Sequence, residues 1–133
     1  MKVHRIDAVT LELVEPLLAQ WLASKHCHDT REAILDRAAS GKWTLYGVAD
    51  GRDVIGLFAL EVKETPRGER YLTAPFATGR RAKEWWPLMD ETADQVAKEY
   101  GCSEIVQECR PGWRKWMSGR FAVAKIVLRR EVT

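Results

Sequence analysis

The spacing of apolar residues changes several times along the chain, and each change marks a new element. Val3 and Arg5 alternate across Lys2–Asp7, which predicts a short opening strand. Leu11, Val14, Leu17, Leu18, Trp21 and Leu22 then recur at the spacing of one helical face. Pro16 lies inside that run, and proline is tolerated in a first turn but costly further in. The regular helix is therefore expected from about Glu15 to Ser24, after a looser turn. A second helix is expected over Thr30–Ala39, with Asp29 as its cap, Glu32 in capping-box position and Gly41 as its stop.

The pattern then becomes that of strands. Lys42–Ala49, Val54–Lys63 and Arg70–Phe76 are separated by Asp50-Gly51-Arg52-Asp53 and Thr65-Pro66-Arg67-Gly68. These turn sequences predict an antiparallel meander. Val54–Lys63 is nearly all apolar and belongs at the centre of the sheet. Pro75 has no N–H for a ladder, so its end of the strand is expected at an edge, a bulge or a parting of strands. The helical period returns at Trp85, Leu88, Met89, Ala93, Val96 and Tyr100, and Gly101 closes the run. Pro87 suits a helix that begins near Trp85 or Trp86. Asp90, Glu91 and Asp94 crowd its early turns and Lys98 its last, as the helix dipole favours. A tryptophan stripe on such a helix is expected in the core. A strand over Ile105–Cys109 follows, then a turn through Arg110-Pro111-Gly112-Trp113 into a short basic helix. Gly119-Arg120-Phe121 is expected to start a last strand.

Composition narrows the function classes. A chain of 133 residues makes one domain. A net charge of +2 is too small to argue for nucleic acid by itself. Three cysteines without a Cys-x-x-Cys make no disulfide framework, and reduced thiols in a cytoplasmic protein are expected. No apolar run reaches the length of a membrane span, and the polar N-terminus does not read as a signal peptide.

Four stretches carry candidate chemistry. Ala77 to Lys83 places Gly79 and three cations, Arg80, Arg81 and Lys83, before a helix, a setting that suits a phosphate. His26-Cys27-His28-Asp29 holds metal-ligand types, but no separated, convergent partner completes a zinc set, so a polar loop is expected. Cys109 beside Arg110 could be a thiolate, though no histidine is near in sequence and a small buried cysteine is the alternative. Arg110, Arg114, Lys115, Arg120, Lys125, Arg129 and Arg130 interleave with Trp113 and Trp116. That cluster could stack on a single-stranded nucleic acid or, through Trp113, Trp116 and Arg120, dock on another protein.

The order of elements, with the Tyr100-Gly101-Cys102 helix exit into Ile105–Cys109, resembles the GCN5-related N-acetyltransferases. Arg110-x-Gly112-Trp113 followed by Gly119-Arg120-Phe121 is similar to short divergent members from tailed bacteriophages. The resemblance implies an α+β fold with helices layered on both faces of a mixed, mostly antiparallel sheet, with about six strands and about four helices. It implies acetyl-CoA as co-substrate, its pantetheine arm between the strands Arg70–Phe76 and Ile105–Cys109 and its pyrophosphate at the start of the long helix. Phe76, Ala77, Thr78, Gly79, Arg80, Arg81 and Lys83 would then bind it. It further implies acyl transfer to an amine of a small molecule or protein, with Glu108 and Glu61 as candidate bases.

The chain departs from the family at three points, one being that the strand Arg70–Phe76 holds no carboxylate where a general base is usual. Only Gly79 stands in the loop, and bulky Trp85 and Trp86 occupy the region of the family's small residues. Trp116 falls near the position of the acid tyrosine, and an indole N–H is no comparable acid. The alternative is a non-catalytic protein on the same fold, a phage accessory, assembly or virion-associated factor in the host cytoplasm or virion.

Overall fold

Leu57, Phe58, Ala59 and Leu60 are consecutive and all buried, which requires a strand covered on both faces. That strand is β3 (Asp53–Glu64), and the sheet is built around it. A computed structural model of the chain describes residues 1–108, 113–117, 119–122 and 130–132. Its other elements are β1 (Lys2–Ile6), α1 (Leu11–Leu22), α2 (Arg31–Ala39), β2 (Thr44–Asp50), β4 (Arg70–Thr73), β5 (Ala77–Gly79), α3 (Ala82–Glu99), β6 (Glu104–Val106) and α4 (Arg114–Met117).

The sheet runs β1-β2-β3-β4-β6, and β5 also pairs with β3. Among the described pairings only β4 with β6 is parallel. Residues of β3 enter two cores, alternating from Leu57 to Leu60, with a register shift against β2 next to Ile55. Leu57 and Ala59 face α1 and α2 with Val14, Leu18 and Ile34. Ile55, Phe58 and Leu60 face α3 with Trp85, Met89 and Ala93. The fold is thus α+β with helices on both faces, as the resemblance implies.

Several local expectations are corrected. Helix α1 begins at Leu11, not near Glu15, and α3 begins at Ala82, not near Trp85. Each contains its proline, Pro16 or Pro87, in the second turn. Both prolines are exposed, and so are Glu12 and Lys83, whose carbonyls lose the i+4 donor, so water can satisfy them. Asp7 anchors the start of α1, its Oδ1 accepting from the N–H groups of Val9 (3.0 Å) and Thr10 (2.9 Å). The cap of α2 is Thr30, whose hydroxyl accepts from the Ala33 N–H at 3.1 Å, and not Asp29. Asp29 instead pairs with Arg37 at 2.7 Å.

The strand expected over Arg70–Phe76 ends at Thr73 as β4, and a separate strand, β5, covers Ala77–Gly79 at the start of the stretch read as the basic loop. Glu61 pairs with Thr73 and Phe58 with Ala77, so Ala59 and Leu60 are opposed by Ala74, Pro75 and Phe76. The extra residue makes a β-bulge, one of the outcomes that Pro75 predicts. Phe76 keeps a ladder bond, its carbonyl accepting from the Ala59 N–H at 3.1 Å. Gly119 and Arg120 lie in a turn rather than in a strand. Cys109, Arg110 to Gly112, Lys125, Arg129 and the body of the expected last strand fall outside the described residues.

Candidate functional site

Among the described residues, strands β4 and β6 pair from Tyr71↔Glu104 to Thr73↔Val106 and no further. Beyond that point the β4 chain bends through the Pro75 bulge and rejoins β3 as β5. On the α3 side of this parting lies a cavity of about 10 Å³, lined by Leu60, Thr73, Ala74, Trp86, Trp113 and Phe121 among others. Such a volume holds about one water.

β5 leads directly into the start of α3. Gly79 has φ +134°, and an ideal Cβ there would lie 2.2 Å from the Ile55 carbonyl oxygen, so no side chain fits. The Arg80 N–H donates to that same oxygen at 2.9 Å. The Arg80 carbonyl accepts from Trp85 Nε1 at 2.9 Å. Arg81 adopts the left-handed conformation (φ 60°, ψ 33°) at the N-cap. Its guanidinium is held between Asp50 (2.9 Å) and Glu84 (2.6 Å). Hydrogen bonds from Arg81 hold both carboxyls below the usual carboxylate range and raise its own pKa. The side chains of Arg80 and Lys83 are exposed. The Glu84 N–H donates to the Arg81 carbonyl at 2.9 Å, while first-turn N–H groups of a helix in general lack i−4 acceptors and suit an anion. Thr78 and Ala77 are half-buried in β5, whereas Phe76 is core, stacked on Trp21 at 5.3 Å.

Aromatic side chains fill the α3 side. Trp85 is fully buried, stacked on Phe58 (6.3 Å) and met edge-on by Trp113 (6.4 Å). Trp113 also touches Trp116 at 5.1 Å, and Phe121 meets Trp86 edge-on at 6.4 Å. Beside them Arg120 bridges Asp90 at 2.9 Å and Asp94 at 2.7 Å. Burial pushes the Asp90 carboxyl up, Arg120 opposes this, and Asp94 adds to it. An open groove of about 770 Å³ runs along this face, lined by Lys83, Trp86, Asp90, Asp94, Trp116 and Arg120 among others.

The two candidate bases sit apart in the fold. Glu61 is buried and accepts from Trp43 Nε1 at 2.9 Å, on the sheet face covered by α1 and α2. Arg37 lies over the Trp43 ring at 4.7 Å. Glu108 is exposed, just beyond β6. Cys27 Sγ lies 3.7 Å from the Asp29 carbonyl, and among the described residues no three metal-ligating side chains converge. Among the described residues no helix is long and apolar enough to cross a membrane.

Two residues of this region escaped the sequence reading. Asp90 lies on the buried stripe of Trp86, Ala93 and Ala97, and its i+4 spacing from Trp86 was the available signal. Gly56 lies within β3, and an ideal Cβ there would be 2.8 Å from the Trp85 ring. A glycine inside a strand signals such a close approach.

No protein-family model matches the chain, and no curated protein matches it in sequence. Solved structures match over nearly its whole length. A probable acetyltransferase aligns with a TM-score of 0.79 at 15% identity, covering 100% of this chain and 97% of the other. The ribosomal-protein-alanine N-acetyltransferase of Brucella melitensis aligns at 0.75 and 17% identity, covering 99% and 98%. A "predicted acetyltransferase with acetyl-CoA" from Clostridium acetobutylicum aligns at 0.70 and 12% identity, covering 98% and 95%. At these identities the likeness is one of fold, and the chain has the GCN5-related N-acetyltransferase fold.

Proposed function

We propose that the chain binds an acyl-CoA at the start of α3 and along the parting of β4 and β6, and transfers the acyl group to an amine. The observation that carries this reading is the end of pairing at Thr73↔Val106, beside a Pro75 bulge whose strand runs straight into α3. A parting of strands in a sheet exposes backbone groups that an extended, amide-bearing ligand can satisfy. The phosphates suit the first turn of α3, where Arg80 and Lys83 supply exposed cations. Arg81 is committed to Asp50 and Glu84 and contributes the shape of the loop. The thioester would supply an activated acyl group. Of the two candidate bases only Glu108, exposed just beyond β6, could accept the proton released by the amine, since Glu61 is closed in the opposite core.

A second reading, a non-catalytic protein on this fold, is favoured by the filled space. Trp86, Trp113 and Phe121 leave a cavity of only about 10 Å³ at the parting. Trp116 also brings no acid to the short helix α4.

A thermal melt with and without acetyl-CoA separates the two. Ligand at about 100 times its Kd stabilises by about 2.7 kcal/mol, a shift on the order of 10 °C for a domain of this size. The Arg80→Ala/Lys83→Ala double variant is expected to lose most of that shift. No shift at millimolar acetyl-CoA overturns the cofactor reading and leaves the second.

A further inference from the structure

The cavity at the strand parting and the outer groove are separate spaces that share two lining residues, Trp86 and Asp90. Both shared residues are held from the same short segment. Arg120 is seated on Asp90, and Phe121 lies against Trp86. Lys83, in the first turn of α3, lines the outer groove, so that groove reaches from the phosphate corner to this partition. A ligand anchored at the α3 start reaches the strand parting along this face only if the partition opens.

We propose that Arg120 and Phe121 form an intramolecular latch that keeps the slot between β4 and β6 shut, and that acyl-CoA is admitted when the latch leaves α3. The inference rests on the acyl-CoA reading above. The latch is built to release. Arg120 is 58% exposed, while Asp90 beneath it is 7% exposed. An ion pair with so exposed a partner is weak and screened by salt. Arg120 spans Asp90 and Asp94, one helical turn apart, so its guanidinium ties the segment to a single face of α3. With Phe121 withdrawn, the 10 Å³ cavity loses one of its walls beside Trp86, which also lines the groove.

The test is the Kd of acetyl-CoA, by calorimetry, for the unaltered chain, Arg120→Ala, Phe121→Ala, Asp94→Asn and Arg120→Lys. A closed form that dominates the population weakens apparent affinity by the fraction that is open. With an open form of a few per cent, Phe121→Ala is expected to bind about tenfold tighter and Arg120→Ala about threefold to fivefold tighter. Asp94→Asn and Arg120→Lys are expected between the unaltered chain and Arg120→Ala, since each keeps only part of the two-point bridge. Far-UV circular dichroism verifies that each variant is folded, and Asp94→Asn attacks the same bridge from the helix side. Equal or weaker binding by the variants, with the unaltered chain still binding, overturns the latch and leaves the cofactor reading standing. No binding by any of the five proteins overturns both.

Discussion

Two carboxylates are buried to the same degree on opposite faces of the sheet, each 7% exposed, and they are kept in different ways. Glu61, on the α1/α2 side, accepts a hydrogen bond from Trp43, an indole that is itself buried. Asp90, on the α3 side, is paired with Arg120, a guanidinium that stands mostly in water. The first pair is closed on both partners and can change only if the core opens. The second is closed on one partner only, so it can part while the core stays intact. A buried acid with a buried neutral donor belongs to the architecture. A buried acid with an exposed cation from a short turn marks a place where the fold can be undone locally.

Trp85 gives the largest expected effect, since α3 packs on the sheet through it. Trp85→Ala removes a fully buried ring from the Phe58 and Trp113 contacts. It is expected to cost about 3–5 kcal/mol in urea unfolding. A smaller loss would mean that the α3 side is held elsewhere. The next comparison is direct. Trp43→Phe leaves Glu61 buried without its donor and is expected to cost about 1–3 kcal/mol. Arg120→Ala is expected to cost less than about 1 kcal/mol, because the exposed guanidinium is screened. Equal costs for the two would erase the distinction between a closed pair and a releasable one.

The smallest effect is in pH dependence. The Asp90 carboxyl is raised above its ordinary value near 3.8, chiefly by burial. The native chain therefore keeps a proton that the unfolded chain releases as pH rises through that value. Stability drawn from this group is full below about 3.8 and is lost as pH climbs to the raised value. Asp90→Asn should remove that decline, so its melting temperature relative to the unaltered chain rises across the same window. A difference that is flat with pH would mean that Arg120 already cancels the effect of burial.

Much of this was legible in the residues. The all-apolar β3, the turns around it, the 3.6 period of α3 and the ladder-breaking Pro75 are local signals, and the fold follows them. The helix starts at Leu11 and Ala82 were not legible, because a proline rule applied to the sequence cannot tell that Pro16 and Pro87 face solvent. Thr30 and Asp29 are both good caps, and Arg37, eight residues after Asp29, decided between them by taking Asp29. At the site, the cations of the α3 loop were visible. Their division into exposed Arg80 and Lys83 and a committed Arg81 depends on Asp50, which arrives through the tertiary fold. Asp90 was read with its acidic neighbours as a dipole effect, while its place on the stripe made it a buried partner.

The bulge at Pro75 also sets the parity of the strand. Leu72 and Ala74 point toward α3, and unbroken alternation would send Phe76 the same way. With one residue added, Phe76 points to the opposite core, stacked on Trp21 and met at a tilt by Trp43, while Ala77 returns to the α3 side. Surface turns generally accept an added or deleted residue, and this strand would accept a deletion at 75: plain alternation would then carry Phe76 to the same core and Ala77 back to the α3 side, with no bulge. The faces are thus held by Phe76 and its two tryptophans, and the extra residue is taken up in the backbone.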